Sequence, residues 1–481
     1  MEHTVSRRPL WLIMVAVSLP MFMAALDNLV VTNALPVIRA DLGTDLEGLS
    51  WVVNNYSLSF AALIPVAVAV ADRFGRRRVF SLGLLLFTLA SVASALSVET
   101  WQLIAARAFQ GAGAAAVMPL SLTLLSTSVP ARRLPAAIGI WGGVSGLGVA
   151  LGPLVGGAVV EGLNWQAIFW LNVPIGIVCL PLIRYVLPES LGRADRVDLL
   201  GTLLSGIGVL GIVYGVVRGN DAGWGSAEVL LPLVGGGAML AAFVWWERRA
   251  VAPLLPLRLF RNRSFAVANI VGVLFCLGMF GTVFILIQFL QVVQGVTPLA
   301  AGVMTMPWTM APLVVAPLTG LITPRIGTRP VIVTGLVCLT IGLFRIAAIL
   351  DPSVAYEALL PSLLICGIGM GLVFAPLAAA VLAGIAPEDQ ATASGANSTT
   401  REIGIALGIA ILTAVFLASG GTLTPDGFTT AAIPAVQLGG AALAAAALAA
   451  LALPGRRWTQ PVALERQPEA AVQGPPVTPG Q

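Results

Sequence analysis

The sequence predicts an all-α membrane protein of fourteen transmembrane helices, and three observations carry that prediction. Of 481 residues, 58% are hydrophobic and only 10% charged, with a mean hydropathy of +0.94. Soluble domains carry about 25% charged residues, so this chain belongs in lipid. Its apolar residues come in long runs without period-two alternation. In hydrocarbon only helices and closed barrels satisfy the backbone, and unbroken runs select helices. Finally, the arginines fall in alternate loops, the asymmetry that orients a polytopic chain.

A crossing needs about 20 apolar residues. Such runs occur at 11–35, 50–70, 79–97, 101–125, 136–160 and 165–187, then as a pair at 198–218 and 228–246. A second set of six follows at 265–291, 300–323, 331–350, 357–383, 396–418 and 433–453. The chain thus divides into a tail at 1–10, a six-helix bundle at 11–190, two inserted helices at 191–247, a charged linker at 248–264 and a second six-helix bundle at 265–455. The Pro-rich segment 456–481 reads as a disordered tail. With both termini in the cytoplasm, the outer loops hold only Arg39 and Arg218, while acids such as Asp41, Glu47, Glu99, Glu161 and Glu228 gather there. An odd number of spans would invert half the chain and spoil this asymmetry.

The first inner loop, Asp72-Arg73-Phe74-Gly75-Arg76-Arg77-Arg78, fixes orientation but also carries an acid and a turn glycine that topology alone does not require. Asp72 suits a helix N-terminus or an arginine partner across the inner interface. Gly320 to Pro330 repeats the pattern in part: Arg325, Gly327 and Arg329 match in order, with Pro324 in the place of Asp72. Each copy follows the second span of a six-span half, the mark of a parallel-repeat transporter.

Several function classes fall away. The basic residues are all arginine, 26 of them, and their +4 excess is distributed as loop topology, not as a nucleic-acid face. Cys179, Cys276, Cys338 and Cys366 lie far apart inside apolar runs, without metal-ligand spacing. No lysine completes a P-loop, and no nucleophile–base pair is evident, so neither an enzyme nor a cofactor or metal site is expected. His3, the only histidine, cannot relay protons within the membrane.

Ionisable groups inside spans are costly and usually functional. Five occur here: Asp27, Arg107, Arg345, Arg401 and Glu402. A carboxylate such as Asp27 in an apolar cavity, with a movable cation beside it, makes a proton switch. Arg107 is the candidate cation, and Glu402 the runner-up proton site. Arg345 is read as snorkelling outward, and Arg401 as an inner gate. Gly148, Gly152 and Gly156 recur every four residues on one helical face, allowing close helix contact, with Pro153 inviting a bend beside Gly157. Asn33, Asn54, Asn55, Tyr56, Trp141, Gln288, Gln291 and Trp308 supply polar and aromatic surface suited to amphipathic substrates.

These residues together resemble the major facilitator superfamily, specifically its fourteen-span drug:proton antiporter branch. The resemblance rests on Asp72, Arg73, Gly75, Arg76 and Arg77; on Ala105 to Gly113 with Arg107; on Gly148 to Gly157; and on Leu26-Asp27 followed by Ala34-Leu35-Pro36. Gln291, Pro298, Gly302 and Pro307 match the ninth-to-tenth-span pattern, and Arg401, Gly404 and Gly408 the thirteenth. It implies the major facilitator fold, with two six-helix bundles rocking about a central cavity. It also implies proton-coupled export of hydrophobic or cationic drugs from a bacterial cell, with Asp27, Arg107 and Glu402 in coupling and the loop and span-5 residues in gating. The expected partners are such substrates, protons and membrane lipids, with the chain acting as a monomer. Export of lipids or lipid-like metabolites is the alternative, and a non-transporting sensor or scaffold the remote one. The chain departs from the pattern at Val68, Leu29, Thr32 and Glu402.

Overall fold

The computed structural model describes residues 9–130, 133–191, 198–250, 253, 255, 257–385 and 389–455. The expected tail at 456–481 and most of the tail at 1–10 lie outside the described residues, as do parts of the linker at 248–264.

The first half contains α1 (Leu10–Leu42), α2 (Leu46–Phe74), α3 (Arg76–Ala95), α4 (Thr100–Ser128), α5 (Leu134–Gly162), a single-turn α6 (Ala167–Trp170) and α7 (Asn172–Val186). The inserted pair is α8 (Leu199–Ala222) and α9 (Ala227–Glu247). The second half contains α10 (Arg263–Gln288), α11 (Pro298–Ile326), α12 (Thr328–Ile349), α13 (Tyr356–Leu382), α14 (Gln390–Ala418) and α15 (Pro425–Ala450). Each apolar run of the sequence coincides with one helix, α6 and α7 together filling the sixth. By length and composition, eleven described helices suffice to cross a membrane, or twelve with α2, whose pieces Glu47–Ile64 and Val66–Phe74 meet at 45°. The break falls at Pro65, which has no N–H for the helical ladder. In α5 and α8 the apolar stretches are shorter, Leu151–Gly162 and Leu200–Val216.

Helix starts are set by local chemistry. Asp45, Asp198 and Asn262 accept backbone N–H groups of α2, α8 and α10. Thr297 and Thr424 cap α11 and α15, each with proline in the first turn, where a missing N–H costs nothing.

The two halves repeat in their packing. In the first, α1 packs on α5, α2 on α4, and α3 on α4 and α7; in the second, α10 packs on α14, α11 on α13, and α12 on α13 and α15. The halves meet along two seams, α2 against α14 and α5 against α11, which exchange under the same correspondence. The inserted α8 packs on both α2 and α14, and so straddles the first seam. Leu58, Val209, Ala406 and Ala410 form its apolar core, and Arg218 ties it to Glu47 of α2 and Glu228 of α9.

The partial loop repeat is also a conformational one. Gly75 joins α2 to α3 at φ 112°, and Gly327 joins α11 to α12 at φ 95°. Such backbone favours glycine, and a Cβ on Gly75 would also sit 2.7 Å from a carboxylate oxygen of Glu189. Gly75→Ala is therefore expected to cost about 1–3 kcal/mol, read as a lower thermal unfolding midpoint in detergent. Gly320→Ala, in open helical surroundings, serves as the silent control.

Candidate functional site

The bundle of the first half buries a closed polar cluster built from four helices. Asp27 of α1 is 3% exposed and Arg107 of α4 is fully buried. They form an ion pair through Arg107 Nη1 and Asp27 Oδ2. The same Nη1 donates to Gln110 Oε1 at 2.8 Å, the two α4 residues lying one turn apart on one face. Gln110 Nε2 donates to Asp27 Oδ1 at 2.9 Å and to Ser91 Oγ of α3 at 2.8 Å. Asn172, the first residue of α7, donates to the same two oxygens at 2.8 and 2.9 Å. Asp27 thus accepts hydrogen bonds from three side chains.

Asp27 and Arg107 are the pair expected from the sequence, whereas Ser91, Gln110 and Asn172 are not among the expected site residues. Gln110 and Asn172 carried a usable signal, since an amide inside an apolar run needs partners. Serine is too common in membrane helices for Ser91 to stand out. Asn172→Leu removes one buried hydrogen bond to a charged group, worth about 1.5–3 kcal/mol. A lower thermal unfolding midpoint in detergent, with expression and monodispersity kept, is the expected result.

Tyr56 of α2 covers this cluster. The Arg107 guanidinium lies 4.2 Å from the centroid of its ring, and its hydroxyl donates to Ala24 O at 3.4 Å. The ring also lines a cavity of about 130 Å³ between the halves. Met21, Phe60 and Trp141 line it from the first half; Phe280, Phe374, Arg401 and Glu402 face them from the second. Trp141 Nε1 donates to Ser121 Oγ at 3.1 Å, and Arg401 stacks on Phe374 at 4.7 Å. Glu402 is 7% exposed, and its Oε2 has no hydrogen-bond partner among the described residues. Sites for drug-sized ligands measure about 300–1,000 Å³, and this cavity, at about 130 Å³, lies below that range.

Towards the face opposite the arginine loops, the halves are sealed together. Asn33 Nδ2 donates to Pro153 O of α5 at 2.8 Å and to Pro298 O of α11 at 2.9 Å. Gln291 donates back to Asn33 at 2.8 and 3.0 Å, and Leu299 N donates to Glu161 at 3.3 Å. Asn33 and Gln291 therefore hold the seal and do not line the cavity. Asn54, Gln288 and Trp308 are buried away from the cavity lining, and Asn55 donates to Ile104 O of α4. Of the eight residues expected to meet substrate, Tyr56 and Trp141 border the cavity.

The span-5 glycines divide their work. A Cβ on Gly148, Gly152 or Gly156 would meet Phe22, Leu29 or Val30 of α1. A Cβ on Gly157 would strike the backbone of Pro298 and Leu299 across the second seam, while Gly302 lies against Pro153. α5 runs through Pro153 as one helix from Leu134 to Gly162.

In the arginine loop, Asp72 bonds Arg76 at 2.8 Å within its own half, and Arg73 stacks on Phe74. Glu189, which follows α7, supplies the N-terminal acceptor for α3 by taking Arg77 N at 2.9 Å; its other oxygen lies 3.6 Å from Arg77 Nε. That role went unassigned in the sequence because the partner lies 112 residues away. Arg345 bonds Ser362 at 2.8 Å and Ala358 O on α13, with no acid paired to it among the described residues.

A family model described as Major Facilitator Superfamily matches residues 17–409. The chain is 38% identical over 411 residues to the multidrug resistance protein Stp of Mycobacterium tuberculosis, covering 85% of this chain and 76% of that protein. It is 39% identical over 402 residues to the cephamycin export protein CmcT of Amycolatopsis lactamdurans, covering 82% of each. Among solved structures, a D-xylose-proton symporter superposes with a TM-score of 0.66 at 13% identity, over 93% of this chain and 98% of that one.

Proposed function

The chain belongs to the major facilitator superfamily, and from that premise we propose that this multi-pass membrane transporter exports hydrophobic or cationic drugs in exchange for protons. The observation that carries the reading is the single ring of Tyr56, which contacts the buried Arg107 on one side and borders the central cavity on the other. A drug in the cavity and a proton on Asp27 would thereby act on one side chain. The aromatic walls and the carboxylate of Glu402 suit apolar and cationic cargo, and the names of Stp and CmcT support drug export.

In this reading the arginine-rich face is cytoplasmic, so the seal faces outward. Protonation of Asp27 from outside cancels the charge on which Arg107, Gln110 and Asn172 converge. Arg107 loosens, the Tyr56 wall shifts, and the drug leaves. Loss of the proton inward rebuilds the cluster and restores the binding wall. Between these steps the halves rock about the α2–α14 and α5–α11 seams, opening the cavity alternately to each side. Efflux of a fluorescent cation from loaded vesicles tests the proposal. Transport should follow an imposed proton gradient and collapse with it; efflux indifferent to the gradient rules out coupling.

A further inference from the structure

We propose a binding site for the phosphate of an anionic glycerophospholipid in the groove between α3 and α7, on the outer wall of the first half. The groove encloses about 930 Å³ and shares no lining residue with the central cavity. Arg77, Arg78 and Arg184 stand at its charged end, and Leu82, Leu85 and Tyr185 form its apolar wall. Leu82 is 62% exposed and Tyr185 60%, on a helix pair whose outer surface faces lipid.

The charges do not balance among the described residues. Glu189 is the acid here, 3.6 Å from Arg77 Nε and 3.7 Å from Arg78 Nε. Arg77 is further pinned by Leu187 O at 3.1 Å. The Arg78 side chain stays 72% exposed, and Arg184 makes no ion pair among the described residues. Arg78 and Arg184 both line the groove beside Arg77, three arginines to one described acid, and guanidinium matches phosphate oxygens in pairs. The apolar wall descends directly from that charged end, so the anion that fits is one carrying an acyl chain. A lipid phosphate at the cytoplasmic headgroup level, with its chain along Leu82 and Leu85, satisfies both halves of the groove. The site is independent of what the transporter exports.

The test is native mass spectrometry of the full-length protein released from membranes containing phosphatidylglycerol and phosphatidylcholine. Wild type should retain phosphatidylglycerol selectively, and R78Q/R184Q should lower that retention about tenfold. R78K/R184K, which keeps the charge, should retain most of it. L82E leaves the arginines intact and sets a carboxylate in the chain's path; it should also lose the lipid, and it decides the matter if the double variant does not fold. Equal retention by wild type and L82E, or by wild type and a folded R78Q/R184Q, overturns the proposal. Displacement by inorganic phosphate as readily as by added lipid overturns it as well, since the site would then read a free anion.

Discussion

Asp27→Asn is expected to abolish proton-driven export while leaving a transporter that still reaches the membrane in reduced amount. The substitution keeps the shape of the side chain but removes the charge that Arg107 answers in a fully buried site. Removing one partner from a buried pair costs about 3–5 kcal/mol, because the other charge is left uncompensated. Two effects should therefore separate. Stability falls in Asp27→Asn and largely recovers in Asp27→Asn/Arg107→Gln, where no unpaired charge remains. Export stays absent in both. Thermal unfolding in detergent and vesicle efflux, run on the same preparations, read these two outcomes. A single variant with full coupled transport contradicts the assignment of Asp27.

The second large effect lies at the other end of the molecule. Gly157→Ala places a methyl group against the backbone of Pro298 and Leu299, 2.6 Å from the Leu299 Cα. Backbone of a packed helix start cannot move aside as a flexible side chain would. Overpacking of this kind costs about 1–3 kcal/mol, which shifts a two-state closure roughly 5- to 150-fold towards the open form. The seal held by Asn33 and Gln291 should then open, and turnover should stall with drug binding retained. Spin labels at exposed Leu163 and Glu357, in a cysteine-free background, should report a longer distance between the halves. Gly162→Ala, with nothing near its Cβ, should leave both distance and transport unchanged.

Hydropathy and arginine placement made the helix order readable, because lipid imposes length and polarity on each segment separately. The two-half repeat was also within reach, since Gly75 and Gly327 must adopt the same rare backbone and only glycine does so without strain. The cost of buried charge marked Asp27 and Arg107 among five ionisable residues within spans, and the resemblance to the family pointed to the two as partners. What the sequence hid was everything that depends on helix rotation. Asn33 and Gln291 look like substrate ligands when read one residue at a time, yet their faces turn towards each other across a seam. Glu402 turns into the cavity and Trp308 away from it; hydropathy does not distinguish the two. The partners that complete the Asp27 cluster come from α3, α4 and α7, and no local spacing links Ser91 to Asn172.

The central claim is that one drug and one proton site compete through the Tyr56 wall. It is tested most directly by mixing the purified, detergent-solubilised protein with drug in weakly buffered solution and following proton release with a pH indicator. Wild type should release protons on drug addition, and Asp27→Asn, whose neutral side chain leaves the Tyr56 wall in its released state, should bind the drug more weakly and release none even at saturating drug. Equal proton release by both proteins, or drug binding by wild type without any release, would contradict it.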